Sequence, residues 1–337
     1  MKGKRIAVLF DNPEASSERG PTWEQCGDME EAARAVRTAL ESLGAEAIPI
    51  VIRQNDYGFV DELREAKADL IFNLSDSLFG ESQYEPTLAG ILETLGMPFT
   101  GAGSRGLSLA LDKGVAKAIL RSHGLATPEG GAVYPGEEAI KTLPLPAMVK
   151  PSAEDGSIGI ATDSVVRTKE ALDERVRYIW ENYRQPALVE RYVEGREINV
   201  ALWGNGDSLL PLPPSEIDFS EFPEGLPKVV TLNAKWTEGS PEYEGTRPVC
   251  PAEVSPDLLE KINGTALKAF RIFHLHDFGR VDFRVDQEGR PYVIDVNPNP
   301  DISPDAGFSR ATAVVGYDYP ATLGEIGRLA LERFDTR

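Results

Sequence analysis

Short apolar runs alternate with amphipathic stretches along the first hundred residues. Three of these runs predict buried strands: 5–10 (RIAVLF), 45–52 (AEAIPIVI) and 69–74 (DLIFNL). Residues 29–44 carry apolar positions at helical spacing before a glycine stop, and residues 84–96 repeat that pattern ahead of a short strand, MPFTG. Strands that alternate with helices are typical of a parallel α/β unit, which we predict over residues 1–103.

The rest of the chain alternates less regularly. The predicted helices are 112–124, 257–273 and 323–334, and the predicted strands are 145–152, 187–193 and 197–204. The turn Glu194-Gly195-Arg196 between the last two strands predicts a hairpin. Residues 211–251 are rich in Pro, Gly and acidic residues and show little periodicity. A loop of that length is usually functional, so we predict a flap that is partly ordered around 228–236.

Charged residues alternate with apolar ones in the stretch VDFRVDQEGRPYVIDVNPNP, residues 281–300. Both halves read as strands, and DQEG between them is typical of a turn. If the hairpin closes between Glu288 and Gly289, its register places four polar residues on one face: Arg280 opposite Asn297, and Asp282 opposite Asp295. Two carboxylates directly opposite each other repel, so the pairing needs a compensating charge.

A divalent cation would supply that compensation. Two carboxylates and an amide oxygen suit Mg²⁺, which takes oxygen ligands and keeps several waters. Arg280 beside them offers a planar fork for an anion. The alternative is a solvated hairpin with charged edges, which does not require Arg280 and Asn297 to share the face. We therefore favour a metal site formed by Asp282, Asp295 and Asn297.

Composition narrows the classes of function. The chain has 337 residues, enough for two or three domains, with 41% hydrophobic and 26% charged residues. Its formal net charge of −19 argues against nucleic acid and anionic membranes as partners, although a few lysines can still converge on a small anion. Cys26 and Cys250 are far apart, and no apolar run approaches the ~20 residues that cross a bilayer. We expect a reduced, cytoplasmic protein.

Two familiar patterns carry little weight. GAGSRG at 101–106 matches G-x-G-x-x-G but follows the last strand of the N-terminal unit, so a tight, closely packed turn is favoured over a dinucleotide site. His274 and His276 lack a third histidine nearby, which favours a packed pair over a metal site.

The stretch VKPSAEDGSIGI at 149–160 is more informative. Lys150 ends an apolar strand and faces a short Gly/Ser loop, and loop amides with a lysine ammonium together form a phosphate site. Glu190 and Glu197 stand among apolar strand neighbours, where a carboxylate needs hydrogen-bond partners. A ribose or adenine amine would supply these partners, and so would a local Lys or Arg; the residues alone leave both open.

Taken together, these segments resemble the ATP-grasp superfamily and, within it, the D-alanine–D-alanine ligases. The resemblance runs from about Asp69 to the C-terminus, more loosely before that. It rests on the order and spacing of six pieces: ESQYEPTLAGILETLGMPFTGAG, LALDKGVAKAILRSHGLATP, VKPSAEDGSIG, LVERYVEGREINV, NAKW followed by RPVCPA, and GRVDFRVDQEGRPYVIDVNPNP.

The resemblance implies a mixed α/β ATP-grasp fold. Three domains are expected: an N-terminal unit over 1–103, a central lid over 104–187, and a C-terminal unit over 188–337 that carries the flap 211–251. ATP would lie between the central and C-terminal sheets.

The resemblance also implies roles for individual residues. Those expected to bind ATP are Lys113, Lys150 and Ser157 at the phosphates, Glu190 and Val193 at adenine, and Glu197 at the ribose. Lys235 would reach the γ-phosphate, and Arg280 would stabilise a tetrahedral intermediate. Asp282, Asp295 and Asn297 would bind two Mg²⁺ ions, with Mn²⁺ as an alternative.

Several positions depart from the family pattern. Asp295 stands where the family has a metal-bridging Glu. One serine of the family's Gly-Ser-Ser run falls on Gly156, the flap Tyr is Trp236, and a His-Gly pair is replaced by Ser75-Asp76. The family's N-terminal substrate Glu is best matched by Glu24, with Glu18 as the rival. The predicted substrate-binding residues are Glu24, Gly156, Trp236 and Asp305.

The sequence thus predicts an ATP-dependent carboxylate–amine ligase that works through an acyl phosphate. Because most departures fall where the family binds its first amino acid, a different or broader substrate is expected. The alternatives are a D-alanine–D-alanine ligase proper, an ATP-binding protein without ligase activity, and an ATP-grasp phosphotransferase. Expected partners are a small carboxylate and a small amine, without nucleic acid or membrane, and a homodimer is left open.

Overall fold

A computed structural model of the protein describes residues 1–12, 31–137 and 143–336. In this part of the chain the strands form three separate sheets, with helices packed against them. The predicted mixed α/β class is confirmed. Glu18, Glu24 and Cys26 lie outside the described residues.

The first sheet is parallel and has the order β2-β1-β3. Its strands are β1 (Arg5–Asp11), β2 (Glu46–Ile52) and β3 (Leu70–Asn73), and its helices are α1 (Glu31–Ser42), α2 (Phe59–Ala66) and α3 (Glu85–Leu95). The alternation read from the sequence is therefore confirmed. The predicted short strand MPFTG is reduced to a single bridge between Phe99 and Ile71.

The second sheet is antiparallel, with the order β4-β7-β5-β6. Its strands are β4 (Gly130–Val133), β5 (Ala147–Pro151), β6 (Val165–Val166) and β7 (Ala187–Arg191). The helices of this region are α4 (Ser104–Leu111), α5 (Lys113–Ser122) and α6 (Lys169–Tyr183). The apolar face of α6 packs on this sheet, through Leu172, Val176 and Ile179.

The third sheet has the order β11-β10-β8-β12-β13, and β9 pairs with β8 beside this path. Its strands are β8 (Arg196–Trp203), β9 (Leu210–Pro211), β10 (Ser215–Asp218), β11 (Arg247–Val249), β12 (Phe278–Val285) and β13 (Pro291–Asn297). The helices are α7 (Leu232–Trp236), α8 (Pro241–Glu244), α9 (Pro256–Ile272), α10 (Gly307–Val314) and α11 (Tyr319–Asp335). No helix in the described ranges is both long and apolar enough to cross a membrane.

The hairpin predicted between 187–193 and 197–204 is wrong. The backbone of β7 pairs with β4 and β5 in the second sheet, whereas β8 pairs with β10 and β12 in the third. Gly195 has φ +147°, and a Cβ there would meet the carbonyl oxygen of Val285 at 1.9 Å. The glycine thus marks a crossing between two sheets, where the chain passes close to β12. The domain limits stay predictions, but the limit at 187/188 falls at the start of β7.

The register predicted for the polar hairpin is confirmed. Asp282 lies opposite Asp295, and Arg280 lies opposite Asn297. The turn itself differs from the predicted one, because Val285 pairs with Pro291 and the hairpin is centred on Glu288. A bulge at Ile294 adds one unpaired residue to β13 and restores the expected pairing further along.

A buried ion pair joins the C-terminal helix α11 to the residue before β12 and to the segment around Phe99. The side chain of Arg333 on α11 binds both carboxylate oxygens of Asp277, at 3.0 and 2.8 Å, and donates to the carbonyl of Phe99 at 2.7 Å. Asp277 is fully buried, and the amide of Gly101 donates to it at 3.0 Å. A Cβ on Gly101 would meet Asn299 Oδ1 at 2.4 Å, which agrees with a closely packed turn at 101–106.

Candidate active site

A cavity of about 520 Å³ is lined by both the second and the third sheet. All but two of the predicted site residues line it: Lys113, Lys150, Gly156, Ser157, Glu190, Val193, Glu197, Lys235, Arg280, Asp282, Asp295, Asn297 and Asp305. Of the other two, Glu24 lies outside the described residues, and Trp236 follows Lys235 at the end of α7 with a side chain outside the described part. The folding of the chain therefore gathers residues from segments far apart in sequence.

Lys113 lies at the start of α5, with its ammonium between two carboxylates. Asp112 caps the helix by accepting from the amide of Val115, which fixes the first turn. Lys113 Nζ lies 2.7 Å from Asp155 Oδ1 and 3.6 Å from Asp295 Oδ1. Burial would lower the pKa of Lys113, but the carboxylates of Asp295 and Asp155 raise it above its ordinary value. The lysine is therefore held as a cation at the wall of the cavity.

Glu190 on β7 is buried beside two lysines. Its Oε2 lies 3.0 Å from Lys117 Nζ, and its Oε1 lies 3.7 Å from Lys150 Nζ. The sequence left open whether a nucleotide or a local Lys or Arg partners this carboxylate, and the structure shows two local lysines. Sequence reasoning missed Lys117, although its position four residues after Lys113 places both on one face of α5. Burial lowers the pKa of Lys117 to about 8, in spite of the neighbouring Glu190.

Glu197 on β8 is held by Arg284, another residue that sequence reasoning missed. Arg284 Nη1 lies 3.1 Å from the Glu197 carboxylate, Nε donates to the carbonyl of Val193 at 3.0 Å, and Nη2 donates to Tyr192 at 3.1 Å. Burial raises the pKa of Glu197, and the charge of Arg284 opposes that rise. The period of two that links Arg280 to Asp282 continues to Arg284, so the sequence did contain a signal for it.

The repulsion expected between Asp282 and Asp295 is relieved by side chains of the chain itself. Arg280 binds both oxygens of Asp282, at 2.7 and 2.9 Å. Burial would raise the pKa of Asp295, but the charges of Lys113 and Lys150 hold it below its usual value. The Asp295 carboxylate is therefore kept ionised beside the paired Asp282 and Arg280.

The donor set on this wall fits a hard divalent cation. Asp282, Asp295 and Asn297 present carboxylate and amide oxygens to the cavity. Within the described ranges, no group of three or more His, Cys, Asp and Glu side chains is arranged to hold a metal. Such a sparse set suits Mg²⁺, which commonly takes one or two carboxylates and completes its shell with phosphate oxygens and water.

The predicted flap contacts the Gly/Ser loop at 153–160. Ser157 Oγ donates to the carbonyl of Val230 at 2.9 Å, and the amide of Leu232 donates to the carbonyl of Ile160 at 3.0 Å. These contacts place α7, and with it Lys235, at the cavity. Loss of hydration lowers the pKa of Lys235, and the nearby guanidinium of Arg280 lowers it further.

Two acidic residues that follow the first sheet, Asp76 and Glu85, interact electrostatically with Asp155 on the cavity wall. Burial raises the pKa of Asp76, and Asp155 and Asp11 add to the rise. Burial raises the pKa of Glu85 to about 8, although Asn299 Nδ2 donates to its carboxylate at 2.9 Å. Sequence reasoning singled out only Asp76 here, because the others become neighbours only in the folded chain.

The loop after β13 and the helix α10 bring three more charged residues to the cavity: Asp301 and Asp305 from the loop, and Arg310 from the helix. Arg310 donates to the carbonyl of Asp305. Asp305 was expected from the resemblance, whereas Asp301 and Arg310 were missed.

Comparisons with known proteins agree with this site and fold. A family model described as D-ala D-ala ligase C-terminus matches residues 132–326. The D-alanine–D-alanine ligase of Chelativorans sp. is 30% identical over 335 residues, covering 96% of each chain. The uncharacterized protein y4sG of Sinorhizobium fredii is 30% identical over 311 residues, covering 90% of this chain and 88% of that protein.

A solved structure confirms the architecture. The D-alanine–D-alanine ligase of Bacillus anthracis complexed with ATP superposes with a TM-score of 0.76 at 21% identity, covering 99% of each chain. The ATP-grasp fold expected from the sequence is thereby confirmed. With more than half of its length matched by the family model, the chain belongs to the D-alanine–D-alanine ligase family, whose members are ATP-dependent ligases that form carbon–nitrogen bonds.

Proposed function

We propose that the protein joins a carboxylate to an amine through an acyl phosphate, and that D-alanine is a poor first substrate. One observation carries the reaction: a single cavity is lined by the four cations Lys113, Lys150, Lys235 and Arg280 together with the oxygen-bearing side chains of Asp282, Asp295 and Asn297. Phosphoryl transfer needs chiefly positioning and neutralisation of charge, and this arrangement supplies both.

The reaction has two steps. A carboxylate oxygen of the first substrate attacks the γ-phosphorus of ATP, the bond to the bridging oxygen breaks, and ADP leaves. The amine of the second substrate then attacks the carbonyl carbon of the acyl phosphate, loses a proton, and expels phosphate. Lys113 and Lys150 hold the phosphates, Lys235 on the flap neutralises the group in transfer, and Arg280 stabilises the oxyanion of the tetrahedral intermediate.

Asp282, Asp295 and Asn297 would hold Mg²⁺, for which we propose two ions. When bound, Mg²⁺ neutralises phosphate charge and draws electron density from the reacting phosphorus. Because Arg280 already binds both oxygens of Asp282, that carboxylate would be shared between the guanidinium and the metal. Arg280 is thereby fixed beside the reacting centre.

The nucleotide base and ribose belong at the other end of the cavity. Glu190 accepts from the adenine amine, the backbone at Val193 completes the base site, and Glu197 binds the ribose. Arg284 supports this end because it contacts both Val193 and Glu197.

The substrate proposal rests on Gly156 and Trp236. Gly156 has φ +62°, and a Cβ built there meets nothing within 4 Å, so the position opens onto free space. Trp offers an N–H donor and no acceptor oxygen, and Gly offers no side chain. The hydrogen bonds of the family's serine and tyrosine therefore cannot form. Sites that hydrogen-bond a polar substrate group discriminate by orders of magnitude, so selection for D-alanine should be weak and a larger carboxylate preferred.

A screen of amino-acid pairs by phosphate release tests both parts of the proposal. We expect release that depends on ATP, on a carboxylate and on an amine together, with bulkier pairs giving a higher kcat/KM than D-alanine. D-alanine with D-alanine as the best pair would refute the substrate proposal. Release that needs no amine would refute the ligase step and favour a phosphotransferase.

A matched pair of variants gives the control. Arg280→Lys should lower kcat by at least about a hundredfold, because a lysine cannot reproduce the two parallel hydrogen bonds of the guanidinium. Arg290→Lys, on the exposed tip of the same hairpin, should leave turnover unchanged.

The partners proposed are small molecules, in keeping with the net charge of −19. Because the reaction consumes ATP, we place it in the cytoplasm.

A further inference from the structure

Lys117 is a buried charge that the proposed reaction does not use. It lies on α5 and is 2% exposed. Its side chain stands behind the cavity wall, whereas Lys113 and Lys150 line the cavity itself. A buried ammonium is costly unless it is paired and hydrogen-bonded, so its contacts indicate what it holds in place.

The contacts of Lys117 join three elements. Its Nζ donates to the carbonyl of Val293 on β13 at 3.1 Å and lies 3.0 Å from the Glu190 carboxylate on β7. The helix α5 supplies the lysine itself. One ammonium therefore connects a helix with both of the sheets that enclose the cavity.

Glu190 stands between two cations. Its Oε2 is buried against Lys117 Nζ at 3.0 Å, whereas its Oε1 lies 3.7 Å from Lys150 Nζ, beyond hydrogen-bond distance. Lys117 thus holds one oxygen of the carboxylate, and Oε1 keeps acceptor capacity for a ligand. The exocyclic amine of a nucleotide base would supply a donor to Oε1.

We propose that Lys117 is a positioning residue that orients the Glu190 carboxylate towards the amine of the nucleotide base, and in doing so keeps Lys150 directed at the phosphates. The inference rests on the nucleotide site of the proposed function. Without Lys117, Lys150 would be the nearest cation to Glu190. The two would draw together, which would turn the carboxylate from the base and the ammonium from the phosphates.

Nucleotide binding tests this role without any need for turnover. Affinity for a non-hydrolysable ATP analogue and for its inosine counterpart, in which oxygen replaces the amine, is measured by calorimetry with Mg²⁺ at pH 7.5. Lys117→Met should bind the ATP analogue about tenfold more weakly or worse, since truncating one member of a buried charge pair is costly. Its preference for the amine-bearing base should fall towards one, and Lys117→Arg should restore part of that preference.

Lys268→Met is the matched control. Lys268 also donates to a backbone carbonyl, that of His123 at 2.6 Å, but it lies on the exposed side of α9 away from Glu190. This variant should bind both analogues like the parent protein. If Lys117→Met weakens both analogues equally, or neither, Lys117 has a structural role only and the proposal is overturned.

The pH dependence of the parent protein decides the matter if Lys117→Met does not fold. The groups that face Lys117 are Glu190 on β7, Lys150 on β5 and Asp295 on β13. Because burial lowers the pKa of Lys117 to about 8, the lysine loses its charge as pH rises through that value. Affinity for the ATP analogue should therefore fall more steeply between pH 7.5 and 9.5 in the parent protein than in Lys117→Arg, whose guanidinium keeps its charge, and equal profiles would overturn the proposal. Failure here leaves the ligase step untouched, because phosphate release from substrate pairs measures that step separately.

Discussion

Replacing Arg333 with methionine should cost this fold much of its stability. Asp277 is fully buried, and Arg333 provides a hydrogen bond to each of its two carboxylate oxygens. Methionine has a similar length without the charge, so the variant leaves a buried carboxylate with only neutral donors. Removal of one partner of a buried ion pair typically costs about 3–5 kcal/mol.

The remaining contacts of Asp277 decide where in that range the loss of unfolding free energy should fall. The amide of Gly101 and the side chain of Asn205 each still donate to the carboxylate at 3.0 Å. Arg333 also donates to the carbonyl of Phe99, which the variant leaves without that partner. We therefore expect a loss near the lower end, about 3 kcal/mol.

Urea unfolding followed by far-UV circular dichroism measures this loss. The matched control is Arg328→Met on the same helix, where the half-exposed Arg328 pairs with partly buried Glu325 and exposed Glu332. Exposed pairs contribute about 1 kcal/mol or less, so the control should shift the midpoint little. A loss for Arg333→Met within about 1 kcal/mol of the control would refute the reasoning. Adding Asp277→Asn to Arg333→Met should recover part of the loss.

Three further expectations concern the cleft. Asp295→Ala should abolish phosphate release and also lower the urea midpoint, because Lys113 and Lys150 lose the carboxylate that they face; full activity at low Mg²⁺ would contradict the metal assignment. Glu85 has a pKa raised to about 8, so the folded state binds its proton more tightly than the unfolded state, and stability should fall as pH rises from 4.5 to 8. Glu85→Gln should remove that fall, because the amide carries no charge, and should therefore raise Tm at pH 8 but not at pH 4.5. Equal shifts of Tm at the two pH values would contradict this expectation. The flap 211–251 should be cut more slowly by a protease when a non-hydrolysable ATP analogue is present, and equal rates would argue against closure.

Local patterns predicted much of the fold. The parallel α/β unit and the long helices α9 and α11 were predicted because hydrophobic periodicity is a property of neighbouring residues. The sheet to which a strand belongs is not such a property. β7 and β8 follow each other closely and look like a hairpin, yet β7 pairs with β5 and β8 pairs with β12, both of them far away in sequence.

The same limit explains the candidate site. Residues on a single strand, such as Arg280 and Asp282, were found from their spacing. Lys117 was missed because its partner Glu190 lies more than seventy residues away, and nothing local marks a lysine that will be buried. The resemblance identified residues whose type matched a role known in the family. It did not identify the residues that position those side chains, such as Lys117 and Arg284.

The bulge at Ile294 divides the β12–β13 hairpin into two parts with different registers. Beyond it towards the tip, residues 287–290 are mainly exposed, whereas Asp282 and Asp295 lie on the other side. The tip is therefore a suitable place to insert an epitope or a fluorescent reporter without disturbing the cleft. Deleting Ile294 would leave Phe283 opposite Val293 and Asp282 opposite Asp295, so the two carboxylates would still face each other across a regular ladder. The deletion would instead remove the bend and the added twist that a bulge gives its strand. A change in chain length at this position would therefore alter the angle between the polar side chains of the cleft, whereas a change at the turn would not.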